Sequence, residues 1–66
     1  MNDIEKLKHL VEHWAEHNKE HARTYLDWAQ RASALGRTDL SDVLKEIAEE
    51  ASRIDSLFSK AGKLLA

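Results

Sequence analysis

Leu35-Gly36-Arg37-Thr38-Asp39 decides the fold. The chain has no proline and its other glycine, Gly62, lies close to the C-terminal end, so this stretch is the one strong internal break in the pattern. On its N-terminal side Ile4, Leu7, Val11, Trp14, Asn18, His21, Tyr25, Trp28, Ala32 and Leu35 recur at alternating spacings of three and four. That periodicity predicts a helix over about 3–35. Asn2 can cap it, with Glu5 completing a capping box, and Gly36 suits the left-handed residue that follows a helix end. On the C-terminal side Leu40, Leu44, Ile47, Ala51, Ile54, Phe58, Ala61 and Leu65 repeat the spacing, predicting a second helix over about 39–62 after a turn at 36–38. Early Asp39 and Asp42 and late Lys60 and Lys63 suit its dipole.

Two long helices joined by so short a turn fold back as an antiparallel hairpin, which makes the expected class all-α and the chain, residues 1–66, one domain. Residues whose numbers sum to about 75 then lie side by side, with His21 near Ile54, His17 near Phe58, Trp28 near Ile47 and Trp14 near Ala61. Trp14, Tyr25 and Trp28 read as core on this register, since aromatic side chains at seam positions are more often anchors than ligand platforms. Leu10, Leu26, Leu40, Val43, Leu57 and Leu64 widen the apolar stripe beyond what two helices hide. The expected remedy is a homodimer forming a four-helix bundle, the alternative being docking on a larger protein.

Composition narrows the function. At 66 residues the chain buries only about 60% of its unfolded surface, too little for a large enzyme pocket. Without cysteine it can make neither a disulfide nor a thiolate metal site, and added stability has to come from metal or assembly. Ten Lys and Arg against twelve Asp and Glu give a formal charge of -2 with no basic patch, which argues against nucleic acid and anionic lipid as partners. No apolar run approaches the roughly 18 residues of a membrane span, and the charged start does not resemble a targeting segment. A cytoplasmic location is the expectation.

Residues 9–21 read H-L-V-E-H-W-A-E-H-N-K-E-H, placing His9, His13, His17 and His21 at successive i, i+4 positions. Side chains so spaced have Cβ atoms about 5–6 Å apart, close enough for two imidazoles to share one metal ion. Four residues advance 400°, so the row drifts about 40° per step, carrying His9 outward and His21 onto the seam beside Asn18. Glu12, Glu16 and Glu20 interleave and can ligate or orient the imidazoles. The expected site is therefore His13, His17 and His21 with Glu16 and Glu20, and with His9 peripheral. Nitrogen and oxygen donors suit a divalent transition ion, nickel or zinc foremost, with cobalt and copper also compatible. Opposite the row helix 2 offers only Asp55 as a good ligand, so a two-fold mate is the expected source of further donors.

Other readings of these residues stand beside this one. The Glu/His alternation could be a solvated helical face, although such faces normally pair Glu with Lys or Arg. His21 and Asn18 could form a polar break that sets register or oligomeric state. His-x-x-Glu-His also matches the inverzincin zinc motif, but a peptidase needs a third ligand and a substrate cleft that this chain is too short to build, so no enzyme is expected.

The stretch Leu10-Val11-Glu12-His13-Trp14-Ala15-Glu16-His17-Asn18-Lys19-Glu20-His21, followed by Tyr25 and Trp28-Ala29, resembles a family of small prokaryotic histidine-rich helical domains with the pattern L-x-x-H-W-x-E-H-N-x-E-H. The resemblance covers about a third of the chain and implies nickel or cobalt handling, with His9 outside the pattern. Two functions are thus expected from different classes. One is a metal-binding module for storage, delivery or sensing, with a protein that receives the ion; the other is a dimerisation or interaction bundle whose histidines make it respond to pH.

Overall fold

The computed structural model describes residues 2–66 and contains two helices, α1 (Asp3–Ala34) and α2 (Thr38–Leu65), packed along their length. Helix α2 runs through Gly62 to Leu65, and the three-residue connection lies at 35–37, one residue earlier than expected. Asn2 caps α1, its side-chain oxygen accepting the Glu5 backbone N–H at 2.9 Å. At the other end the chain reverses on Gly36, whose φ of 80° lies in the left-handed region. The Arg37 N–H donates to the Ala32 carbonyl at 2.9 Å and the Gly36 N–H to that of Ser33 at 3.0 Å, the paired bonds of a Schellman ending. These bonds satisfy carbonyls that would otherwise have no partner. The Arg37 carbonyl then accepts from the Ser41 N–H, opening α2 within one residue of the reversal.

Beside the turn, the Arg37 guanidinium lies 3.2 Å from the Asp39 carboxylate. This bond, helped by the Leu40 backbone N–H, lowers the Asp39 pKa. A carboxylate held lower in the folded chain than in the unfolded one stabilises at neutral pH and loses that effect as pH falls through its folded value. Full exposure keeps the contribution small.

The packing departs from the facing rows that spacing alone suggests. Val11, Ala29 and Ala32 of α1 and Ser41, Ala48 and Ala51 of α2 are buried, flanked by half-buried Ala15, Asn18, Ala22, Tyr25, Leu44, Asp55 and Phe58. Trp14, His21 and Trp28, expected in the seam, are exposed, and so are Leu40, Ile47 and Ile54. Trp14 and Trp28, read from sequence as core, keep 45% and 53% of their surface in water. Each helix has rotated so that alanines meet. Small side chains let two helices approach closely, and the larger residues of the neighbouring row are turned to one side. The largest side chain sealed from solvent is that of Ser41, and its hydroxyl has no partner.

Two substitutions test this packing. Ala29 is wholly buried, so Ala29→Leu should force the helices apart and lower the unfolding free energy by about 1–3 kcal/mol. Gly36→Ala meets no neighbouring atom, so its cost is that of a Cβ on left-handed backbone, about 1–2 kcal/mol. Urea denaturation measures both, and an unchanged midpoint for either would contradict the packing or the turn described.

Candidate metal site

The i, i+4 spacing turns three of the four histidines into a ladder along α1. The His13 and His17 rings have centroids 4.6 Å apart and tilted by 54°; those of His17 and His21 are 5.9 Å apart at 56°. His21 in turn stacks on Tyr25 at 6.1 Å with the planes 18° apart. Metal–nitrogen bonds of about 2.0–2.1 Å put two imidazole centroids on one ion roughly 4.5–5.3 Å apart at tetrahedral or square angles. The first pair lies within this range and the second lies about 0.6 Å beyond it.

The ladder borders a shallow groove of about 360 Å³ lined by His13, Trp14, His17, Asn18, His21, Ile54 and Phe58. His17 and His21 of α1 thus share one groove with Ile54 and Phe58 of α2. All four histidines are exposed. Asn18 anchors the groove floor, its side-chain amide donating to the Ala51 carbonyl of α2 at 2.7 Å. A helical carbonyl has a second lone pair free for such a donor, and this bond fixes one helix against the other at a specific register. Spacing marked Asn18 as a polar seam residue, but the acceptor is a backbone atom and has no residue type to read in sequence.

The remaining expected ligands do not join the ladder. Among the described residues no three His, Asp or Glu side chains form a group able to hold a metal ion, so neither Glu16 nor Glu20 completes a pair of imidazoles. Asp55, the one good donor expected from α2, lines a groove on the opposite side with Lys19, Ala22 and Arg23. The rotation that joins the alanines also takes Asp55 away from the histidines. A larger groove of about 590 Å³ continues along the histidine side and includes Asn18, Tyr25, Val43, Glu46, Ile47, Glu50 and Ile54. One chain thus supplies adjacent imidazole pairs and no third ligand.

An antiparallel helical hairpin with a histidine ladder on its first helix defines a small all-α domain with an exposed set of nitrogen donors. No helix among the described residues is long and apolar enough to cross a membrane. The chain belongs to the family described as a domain of unknown function, DUF8180, whose model matches residues 7–65 and so spans both helices and the whole histidine row. It is similar to a protein of Archaeoglobus fulgidus described as uncharacterized, 34% identical over 58 residues that cover 88% of this chain and 92% of that one. No solved structure matches it significantly.

The ladder ranks the histidines. The described ring contacts start at His13, and His17 alone has an imidazole neighbour on both sides. Isothermal titration with nickel should show His17→Ala weakening binding more than His9→Ala. Equal losses would place the site elsewhere on the helix.

Proposed function

We propose that this protein is a non-catalytic module that binds a divalent transition metal through neighbouring imidazoles of His13, His17 and His21, in storage, delivery or sensing of the ion. The observation that supports the reading is the ring ladder, in which His13 and His17 at 4.6 Å stand at chelating separation and His21 follows at 5.9 Å, on a solvent-exposed groove. Nitrogen donors without thiolate favour nickel or zinc, with cobalt and copper also accommodated. Glu16 and Glu20 serve as auxiliary groups that orient imidazoles or ligate after rotamer change, and His9 is peripheral. An exposed site releases its ion readily to a receiving protein. The functional unit is a homodimer of hairpins, a four-helix bundle, supported by the large apolar side chains exposed on one chain.

That same apolar exposure favours one second reading, an interaction or dimerisation bundle in which the histidines respond to pH rather than to metal. The two differ in what they require of the ion. A metal module binds stoichiometrically at constant neutral pH. A pH-responsive bundle is indifferent to metal, and its association changes between about pH 5 and 8.

Thermal melts at pH 7.5 with nickel, cobalt, zinc and copper test the proposal. An ion that binds the folded chain alone stabilises it by about 2.7 kcal/mol at a hundredfold excess over Kd. In a domain of this size that raises the midpoint on the order of 10 °C or more, at roughly 4–8 °C per kcal/mol. Coordination needs neutral imidazoles, so the rise should shrink as pH is lowered. Trp14 shares the groove with the ladder, and quenching of its emission by nickel or copper should follow occupancy. If no ion raises the midpoint, or if the triple His13, His17, His21→Ala variant responds like the wild type, the metal reading is wrong.

A further inference from the structure

The two helices do not point their strongest apolar rows at each other. In α1 the alternating row that includes Leu7, Trp14, Trp28 and Leu35 and the buried row that includes Ala15, Ala22 and Ala29 share Val11, Asn18, Tyr25 and Ala32. At 100° per residue the centres of these two rows lie roughly 50° apart around the helix. In α2 the row of Leu40, Ile47 and Ile54 stands in the same relation to the row of Ser41, Ala48 and Asp55, with Leu44, Ala51 and Phe58 shared. The offset has the same rotational sense in both helices. Because they run antiparallel, it turns both large-residue rows to the same side of the hairpin. A helix in a square four-helix bundle points its core row midway between two neighbours, about 45° from each. Each helix here is oriented as though a second pair of helices lay on that side.

The surface area matches such a partner. The chain exposes 5,323 Å², whereas a compact monomer of its mass exposes about 4,300 Å². The excess of roughly 1,000 Å² exceeds the approximately 800 Å² that each partner contributes to a stable interface. The radius of gyration, 15.3 Å, likewise exceeds the approximately 11 Å expected of a globular chain this long. A second copy is the occupant that removes both excesses, because an identical face is equally long and equally apolar.

Symmetry then decides what meets at the centre. Asn18 and Ala51, joined by a hydrogen bond, stand at the midpoints of α1 and α2. His21 lies one turn from Asn18 in the same groove. When two copies of an elongated face overlap fully about a two-fold axis in the interface, the mid-length layer of one meets the mid-length layer of the other. The axis that runs across the helices also sets α1 of one copy against α1 of the other and so brings the two histidine rows together, whereas an axis along the helices would set α1 against α2 and leave the rows on opposite rims. The polar layer, which would be costly against an apolar partner, therefore meets its own copy. His21 is turned toward that face and His17 toward its rim.

We propose that a second copy of this chain covers the face carrying Trp14, Trp28, Leu40, Ile47 and Ile54, and that His17 and His21 of both copies together hold one divalent metal ion. The second half rests on the metal-binding reading above. It supplies the donors that a single chain does not bring together, and it makes the metal a link between subunits.

Native mass spectrometry and sedimentation velocity of the full chain, in EDTA and with nickel or zinc titrated in, test both halves. The expected result is a dimer without metal that takes up one ion per two chains. His21→Ala should stay dimeric and lose affinity by more than about tenfold, since even groups that only orient a ligand are worth 10–100-fold. Ile54→Glu, with helicity checked by circular dichroism, should be monomeric and should lose affinity similarly; Ile47→Glu serves if that variant fails to fold. A wild-type monomer in both conditions overturns the covering face. A dimer binding one ion per chain overturns the shared site and leaves the metal reading standing. A dimer that binds no ion removes the metal reading and the shared site with it. A folded monomeric Ile54→Glu variant that keeps full affinity also overturns the shared site.

Discussion

The burial of small side chains between the helices, Ala29 and Ala32 of α1 and Ser41, Ala48 and Ala51 of α2, is the constraint on which the rest of this structure depends. Alanine buries little apolar area, so the contact itself contributes modestly. Its importance lies in direction: seating alanines in the seam rotates each helix about its axis, and that rotation fixes where every other side chain points. Trp14, Trp28, Ile47 and Ile54 go to one side, and Asp55 to the other. The Asn18 bond to the Ala51 carbonyl holds the register along the axes. Rotation and register together place the histidine ladder on the edge of the apolar side.

The ladder is a consequence of helix geometry. Imidazoles four residues apart are neighbours on any regular helix, and a continuous α1 keeps three of them in contact. The row advances faster around the helix than the seam does, so its members differ in setting although they are equal in chemistry. His21 lies over Tyr25 beside the groove, whereas His9 is not among the residues that line it. A set of equivalent donors is thereby graded from open solvent toward the face that two hairpins would share.

Much of this was legible in the sequence, for local reasons. Alternating spacings of three and four, with a glycine between two such runs, specify two helices and a reversal, because helix periodicity and the left-handed turn at Gly36 depend on neighbours a few residues away. The Asn2 cap follows from the same local rules. The choice between two overlapping rows did not follow. Val11, Asn18, Tyr25 and Ala32 belong equally to a row with Trp14, His21 and Trp28 and to one with Ala15, Ala22 and Ala29. Hydrophobicity favours the first, and the structure seats the second.

Sequence by itself determined that this chain forms two amphipathic helices, that they fold back on each other, and that four histidines lie in a row on the first. Only the tertiary structure decided which row faces the partner helix, and hence that both tryptophans are exposed, that Asp55 is turned from the histidines, and that among the described residues no three donors come together. The physical reason is that side-chain periodicity is a property of one helix, whereas the rotation of a helix about its axis is set by how closely the facing side chains of another helix let it approach.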